Sequence, residues 1–268
     1  MKNKLESIIL QKKKEVELLH QYIAQHQNHP IAQILQGNLQ LKPTANFKKN
    51  LKLPYIAIIA EIKRKSPSKG MIAEITDPVF LAKRYISAGA NALSILTDTQ
   101  FFGGYLTDLT KVANFVNTQS IPILRKDFMI DPIQIAEAAV AGASAVLCIV
   151  SVLGKKTKSM LEFAHSINMN ALVEIHDINE LKIALDSGAD IIGINNRNLN
   201  TFRVDTHCAL ELSEKIPNTI IKVAESGITE PRLVQQYAEA GFDAVLIGEA
   251  LVKSDEPAKF IKECRHEK

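Results

Sequence analysis

Four short segments combine lysines and carboxylates in a pattern suited to proton transfer: Glu61 and Lys63 in AEIK, Lys126 in LRKD, Glu174 in VEIH and Glu225 in VAES. Each charge stands at or just past the end of a run of branched apolar residues. An unpaired charge is costly to bury there, so the groups must meet one another or a polar ligand. Acids and bases gathered in a water-poor cavity have their proton affinities set by burial and by neighbours, as acid–base chemistry requires. For any one of these charges the alternative is an ionic network that merely plugs the molecule. Convergence from four separate segments favours chemistry.

A second signal concerns anions. VAESGI (223–228) and LIGEAL (246–251) each set a glycine, Gly227 or Gly248, at the end of an apolar run, where backbone N–H groups can approach a phosphate closely because no Cβ intervenes. Glu249-Ala-Leu-Val reads as the short helix such a site uses; tight turns with no ligand are the alternative. Asn195 and Arg197 in GINNRNL suit hydrogen bonds to a sugar or carboxylate, or else a turn built from asparagines. Phe101-Phe102-Gly103-Gly104 offers an apolar wall beside a flexible loop, or simple packing. The histidines form no HExxH set and no metal site is expected; His20, His26 and His29 read as surface residues, and His176, two past Glu174, stands alone.

The elements that position these residues follow from an internal repeat. SAGANALSIL (87–96), VAGASAVLCIV (140–150), DSGADIIGIN (186–195) and EAGFDAVLIG (239–248) each read as a helix ending on a left-handed glycine, followed at once by a buried strand. Gly89, Gly142, Gly188 and Gly241 are separated by 53, 46 and 53 residues, room for two strand–helix units. The second set of strands lies between: YIAIIAEIK (55–63), IPILRKD (121–127), ALVEIHD (170–177) and TIIKVAE (219–225). Helix starts are signalled at Asp77-Pro78, Asp131-Pro132, Asp177…Glu180, Thr229-Glu-Pro231 and Asp255-Glu-Pro257. Eight strand–helix cycles with continuous apolar strands predict an α/β fold, a (βα)8 TIM barrel. An open doubly wound sheet is the alternative, but KRKSPSKG after the first strand carries no GxGxxG. Residues 1–50 are expected to form a helical extension on a 51–268 barrel, with an amphipathic helix over 3–27 whose Lys12-Lys13-Lys14 run is its solvated face.

Composition agrees with a single large globular unit: 268 residues, 46% hydrophobic and 23% charged, with a net charge of +3. The charges are mixed along the chain, so neither nucleic acid nor membrane is an expected partner. Cys148, Cys208 and Cys264 form no CxxC pair and, with no signal-peptide core, point to reduced thiols in the cytoplasm.

Taken together, AEIKRKSPSKG (60–70), LSILTDTQFFGG (93–104), PILRKDF (122–128), LVEIHD (172–177), GINNRNL (193–199), VAESGI and LIGEAL resemble the indole-3-glycerol phosphate synthase family of tryptophan biosynthesis, from about residue 5 to 262. The resemblance implies conversion of 1-(2-carboxyphenylamino)-1-deoxyribulose 5-phosphate to indole-3-glycerol phosphate, carbon dioxide and water without a metal or organic cofactor. It implies Lys126 as general acid at the ribulose carbonyl, Glu174 as proton carrier in dehydration, and Lys63 and Glu61 assisting, with Lys63 near the substrate carboxylate. Further substrate contacts would fall on Ser66, Phe102, Phe128, Asn195, Arg197, Glu225, Ser226, Gly227, Leu246 and Gly248. Some members have serine where this chain has Glu249, so its backbone N–H is expected at the phosphate with the side chain turned away. A monomer is expected, with weak association with other enzymes of the pathway left open. Two other readings stand beside this one. A phosphoribosylanthranilate isomerase-like barrel would need a Cys/Asp pair and no N-terminal extension, and an inactive scaffold barrel would show broken strand-end charges.

Overall fold

The computed structural model describes residues 4–41, 45–198 and 203–265; Asn3, Leu199 and the last residues of the 51–268 segment lie outside them. Eight parallel strands close into a barrel: β1 (Ala57–Ile62), β2 (Ala92–Leu96), β3 (Ile123–Lys126), β4 (Ala145–Ile149), β5 (Asn170–Ile175), β6 (Ile191–Asn195), β7 (Ile221–Glu225) and β8 (Ala244–Ile247). The ring is sealed by β1 against β8, with Ala57 beside Ala244 and Ala60 beside Ile247. This is the TIM barrel the repeat predicts, and the four repeat glycines have positive φ at their helix ends.

Helix entry is partly as expected. Asp77, Asp131 and Asp177 accept hydrogen bonds from first-turn N–H groups. Thr229 and Asp255 do not cap, because Pro231 and Pro257 begin their helices and leave Glu230 and Glu256 at the cap position without a side-chain bond.

Strand parity decides what enters the barrel. Ile59, Leu124, Leu172, Ile191, Val223 and Leu246 share one cluster inside the ring, whereas Ile58, Ile95, Val146, Val173, Ile192 and Val245 pack outward against the helices. Successive side chains alternate between faces. Glu61, Lys126, Glu174, Asn195 and Glu225 have the inward parity, one step above the apolar layers. Register sets them at similar height: Glu225 lies beside Asn195 on one side and Leu246 on the other.

The extension holds α1 (Lys4–Gln25), α2 (Pro30–Leu35) and α3 (Phe47–Leu51). It closes the barrel at both ends. Phe47 and Leu51 of α3 are fully buried in the inner cluster at the lower end, where Lys48 and Lys52 pair with Asp190 and Asp243 just before β6 and β8. α1 crosses the mouth, with Ile8 in the same cluster as Phe128.

One expectation about α1 is overturned. Lys13 and Lys14 are solvated, but Lys12 is only 2% exposed. Its ammonium lies 3.0 Å from Asp98 and 2.9 Å from Asp127, the residues that follow β2 and β3 by one or two positions. Lys12 falls four residues from both Ile8 and Val16 and so belongs to the buried stripe of the helix. Burial opposes its charge, yet the two aspartates and Glu15 more than offset this and raise its proton affinity. Asp98 also accepts from the N–H groups of Phe101 and Phe102, and Asp127 from that of Phe128. The lysine thus ties α1 to the backbone that sets Phe102 and Phe128.

Removing one member of a buried ion network leaves uncompensated charge, at about 3–5 kcal/mol. Lys12→Met should therefore lower the thermal midpoint by roughly 10 °C. Lys13→Met, on the solvated face, should change stability by no more than about 0.5 kcal/mol. Thermal unfolding followed by circular dichroism compares the two, and equal midpoints would show that Lys12 carries no structural weight.

Candidate active site

At the upper end of the barrel a cavity of about 670 Å³ opens between the strand ends, the loop after β1 and the underside of α1. Its floor is the inward layer of charged groups. Lys126 Nζ lies 2.8 Å from Glu174 Oε2 and 2.7 Å from Glu225 Oε2, so one ammonium is shared by two carboxylates from β5 and β7. Lys63 Nζ, just beyond β1, lies 2.6 Å from Glu61 Oε1.

The shared ammonium separates the two carboxyls. Burial alone would raise both. Glu174 is nevertheless held below the ordinary carboxylate range, because Lys126, His176 and Asn195 all favour its ionised form. Glu225 moves the other way, to about 7: burial dominates, Lys126 opposes it, and the like charges of Glu174 and Glu61 add to the rise. Lys126 remains an ammonium well above its usual range, since Glu174, Glu225 and Glu61 outweigh its burial. The two carboxylates cannot both be satisfied by one cation, and the one with additional partners keeps its charge.

Above the floor, Phe102 and Phe128 face each other across one wall with ring centroids 6.0 Å apart. The Phe-Phe-Gly-Gly segment is not a loose loop. Thr99–Phe102 form a short helix capped by Asp98, and Gly104 passes so close to the Leu96 carbonyl that an added Cβ would overlap it. The two asparagines of GINNRNL divide their tasks. Asn195 lines the cavity, while buried Asn196 bonds the Ser226 carbonyl and the Tyr237 hydroxyl and holds the turn. Arg197 also lines the cavity, and its N–H donates to the Asn195 side chain.

The opposite end is built by the turns after β7 and β8. Ser226 and Gly227 both have positive φ, a sharp exit from β7 that is strained for serine. A side chain at Gly227 would strike Val204 and Thr206. Gly248 has negative φ, and a Cβ there would run into the Glu61 carboxylate and displace it. Glu249 starts the short helix Glu249–Lys253, and its carboxylate bonds both Lys69 and Lys253 at 2.8 Å. Burial works against its ionised form, but those two lysines hold its carboxyl down at about 2. Two ammonium groups therefore stand at this end against one carboxylate.

The residues expected to act in catalysis or to bind the substrate and its phosphate all line this one cavity, Ser66 and Leu246 included, whereas Phe101, Gly103, Gly104 and His176 do not. Sequence reasoning missed Leu5 and Ile8 of α1, Lys69 and Lys253, and the contact of His176 with Glu174. The spacing Glu174-x-His176-x-x-x-Glu180 was the available signal for the last. Among the described residues, no group of His, Cys, Asp and Glu is arranged to hold a metal ion.

A carboxyl whose folded value is raised binds its proton more tightly in the native state than in the unfolded one. Its effect is to lower stability as pH rises from the ordinary glutamate value of 4.5 to about 7. Glu225→Gln keeps the shape and loses this titration. Relative to wild type it should gain on the order of 3 kcal/mol between roughly pH 5 and pH 8. Urea unfolding at the two pH values measures the difference, and a constant offset would show that Glu225 titrates normally.

The family model for indole-3-glycerol phosphate synthase matches residues 5–264. An indole-3-glycerol phosphate synthase from Thermoanaerobacter pseudethanolicus is 42% identical over 268 residues, 97% of this chain and 98% of that protein. One from Bacteroides thetaiotaomicron is 40% identical, covering 98% of this chain and 97% of its own. Among solved structures, 3-hexulose-6-phosphate synthase from Salmonella typhimurium aligns with a TM-score of 0.63 at 12% identity, over 78% of this chain and 96% of that one, a likeness of fold alone. The chain belongs to the indole-3-glycerol phosphate synthase family.

Proposed function

We propose that this protein is an indole-3-glycerol phosphate synthase, converting 1-(2-carboxyphenylamino)-1-deoxyribulose 5-phosphate to indole-3-glycerol phosphate, carbon dioxide and water. The observation that carries the roles is the Lys126 ammonium, held by Glu174 and Glu225 at the floor of a cavity with an aromatic wall at one end and glycine turns at the other. The phosphate binds at the turns of Gly227 and Gly248 and the N–H of Glu249, with Lys69 and Lys253 close by; Ser66 and Ser226 add hydrogen bonds. Phe102, Phe128 and Leu246 enclose the anthranilate ring, and Arg197 and Lys63 meet its carboxylate. Both ends of a flexible substrate are thereby held so that the ring carbon faces the ribulose carbonyl.

Attack by the ring carbon breaks aromaticity and builds negative charge on the carbonyl oxygen. Lys126 stabilises that charge and gives up a proton to the alkoxide, which is more basic than any lysine. Loss of carbon dioxide restores the benzene ring. Dehydration then needs a base to take a proton from the substrate and an acid for the departing hydroxyl. Glu174 is the carrier, Asn195 orients the hydroxyl, and Glu61 with Lys63 completes the acid–base set. We place the enzyme in the cytoplasm as a monomer; among the described residues no helix is long and apolar enough to cross a membrane.

Lys126→Ala should fold and bind the phosphate end, yet lose at least about 10³-fold in turnover, since it removes both charge stabilisation and acid. Indole fluorescence after addition of the carboxyphenylamino-deoxyribulose phosphate follows this, with phosphoribosylanthranilate as the control substrate. Turnover of the control alone by wild type would favour the isomerase reading, and near-wild-type activity of the variant would remove Lys126 from the chemistry.

A further inference from the structure

His176 lies one residue beyond β5, with a side chain 13% exposed. Its Nδ1 is 3.0 Å from Glu180 Oε2, the oxygen that also accepts the His176 backbone N–H at 2.8 Å. Its Nε2 faces Glu174 Oε1 at 3.4 Å, and neither of these two buried atoms has a well-formed hydrogen bond to any described residue. An ionised Glu180 is an acceptor only, so Nδ1 carries hydrogen. A neutral ring would then turn a bare lone pair toward a carboxylate oxygen that also has only lone pairs. Two buried acceptors in opposition are unfavourable, and a proton between them removes the conflict.

The proposed reaction supplies a use for that proton. A substrate carboxylate departs as neutral carbon dioxide, and the carbonyl oxygen departs as water with two protons. The substrate's own skeleton provides one of these in forming the indole double bond. The second comes through Lys126, so each turnover consumes one solvent proton and leaves Lys126 to be recharged.

We propose that His176, oriented by Glu180, stores the proton that recharges the Glu174–Lys126 pair once per turnover. This rests on the reading of Lys126 as acid and Glu174 as proton carrier. The imidazolium N–H breaks as the Glu174 carboxyl forms its O–H; that bond then breaks as the free Lys126 amine becomes ammonium. His176 touches no substrate and is a positioning residue. The groups around it suit the charged ring: Glu180 from the following helix, Glu174 on its own strand and Glu225 from β7, with Lys126 and the Asn195 amide acting on Glu174 beyond it. Cys208, from the helix His207–Ser213, donates only to the His176 carbonyl. Burial disfavours the imidazolium, but Glu180, Glu174 and Glu225 outweigh it and raise its proton affinity.

Two measurements test this. Nitrogen-15 NMR of His176 in the ligand-free protein should show a ring that titrates above the ordinary value of about 6.5 and moves down in Glu174→Gln. This holds whether or not the substrate assignment is right. In turnover, His176→Ala should lose on the order of 10²-fold in kcat with KM changed by less than about twofold. The fall of kcat on the alkaline side should vanish, and added imidazole should restore activity in proportion to its protonated form. An ordinary titration unaffected by Glu174→Gln overturns the proposal. So does a variant with the wild-type pH profile, or a loss that imidazole does not repair. Failure of wild type to turn over the substrate would instead contradict the proposed function and leave the NMR result standing.

Discussion

Two carboxylates share one ammonium inside an apolar barrel, and the rest of the molecule is arranged around that imbalance. Glu174 and Glu225 are both 1% exposed, and Lys126 is their common cation. The bulk solvent that would ordinarily solvate such charges is excluded by the inner layers of Ile59, Leu124, Leu172 and Val223 below. Sharing forces the carboxyls apart in proton affinity and leaves one of them ready to change its state near neutral pH. A cluster used only for stability would gain more from one well-matched pair, or from none. The inward parity of the strands puts these groups on one level, so the fold's geometry and the site's electrostatics are a single constraint.

The N-terminal extension serves that site from both ends. α3 inserts Phe47 and Leu51 into the lower end of the barrel and shuts it to water. α1 lies across the upper end, contributes Leu5 and Ile8 to the cavity, and is fastened by Lys12 to Asp98 and Asp127. Those same aspartates fix the backbone of Phe102 and Phe128. A second buried ion network, separate from the one on the floor, thus sets the aromatic wall from above. Glycine acts at particular places for distinct reasons: Gly227 permits the left-handed exit from β7, whereas Gly248 leaves space for Glu61.

Much of this was legible in the sequence because its signals are local. A left-handed glycine followed at once by apolar residues marks a helix end and a strand wherever it occurs, and four copies at regular intervals define the barrel. Charges at the ends of strands had to converge once the barrel closed. What was missed depends on contacts between distant segments. Lys12 looks like one of three solvated lysines until its spacing from Ile8 and Val16 is weighed, and its two aspartate partners lie more than eighty residues away. His176 acquires meaning only when Glu174 turns one oxygen to Lys126 and the other to the ring. The helix starts at Pro231 and Pro257 fall where the sequence puts them, but Thr229 and Asp255 do not cap, because each proline begins its helix and leaves Glu230 or Glu256 at the cap position.

In the proposed reaction the carbonyl meets Lys126 while the phosphate rests at the turns after β7 and β8. A crystal structure with a substrate analogue whose carbonyl is reduced to an alcohol tests it most directly. The alcohol oxygen should lie within hydrogen-bond distance of Lys126 Nζ, the ring against the wall formed by Phe102 and Phe128, and the phosphate on the N–H groups around Gly227 and Gly248. A reversed molecule, with its phosphate at the phenylalanines or its alcohol oxygen remote from Lys126, would contradict it.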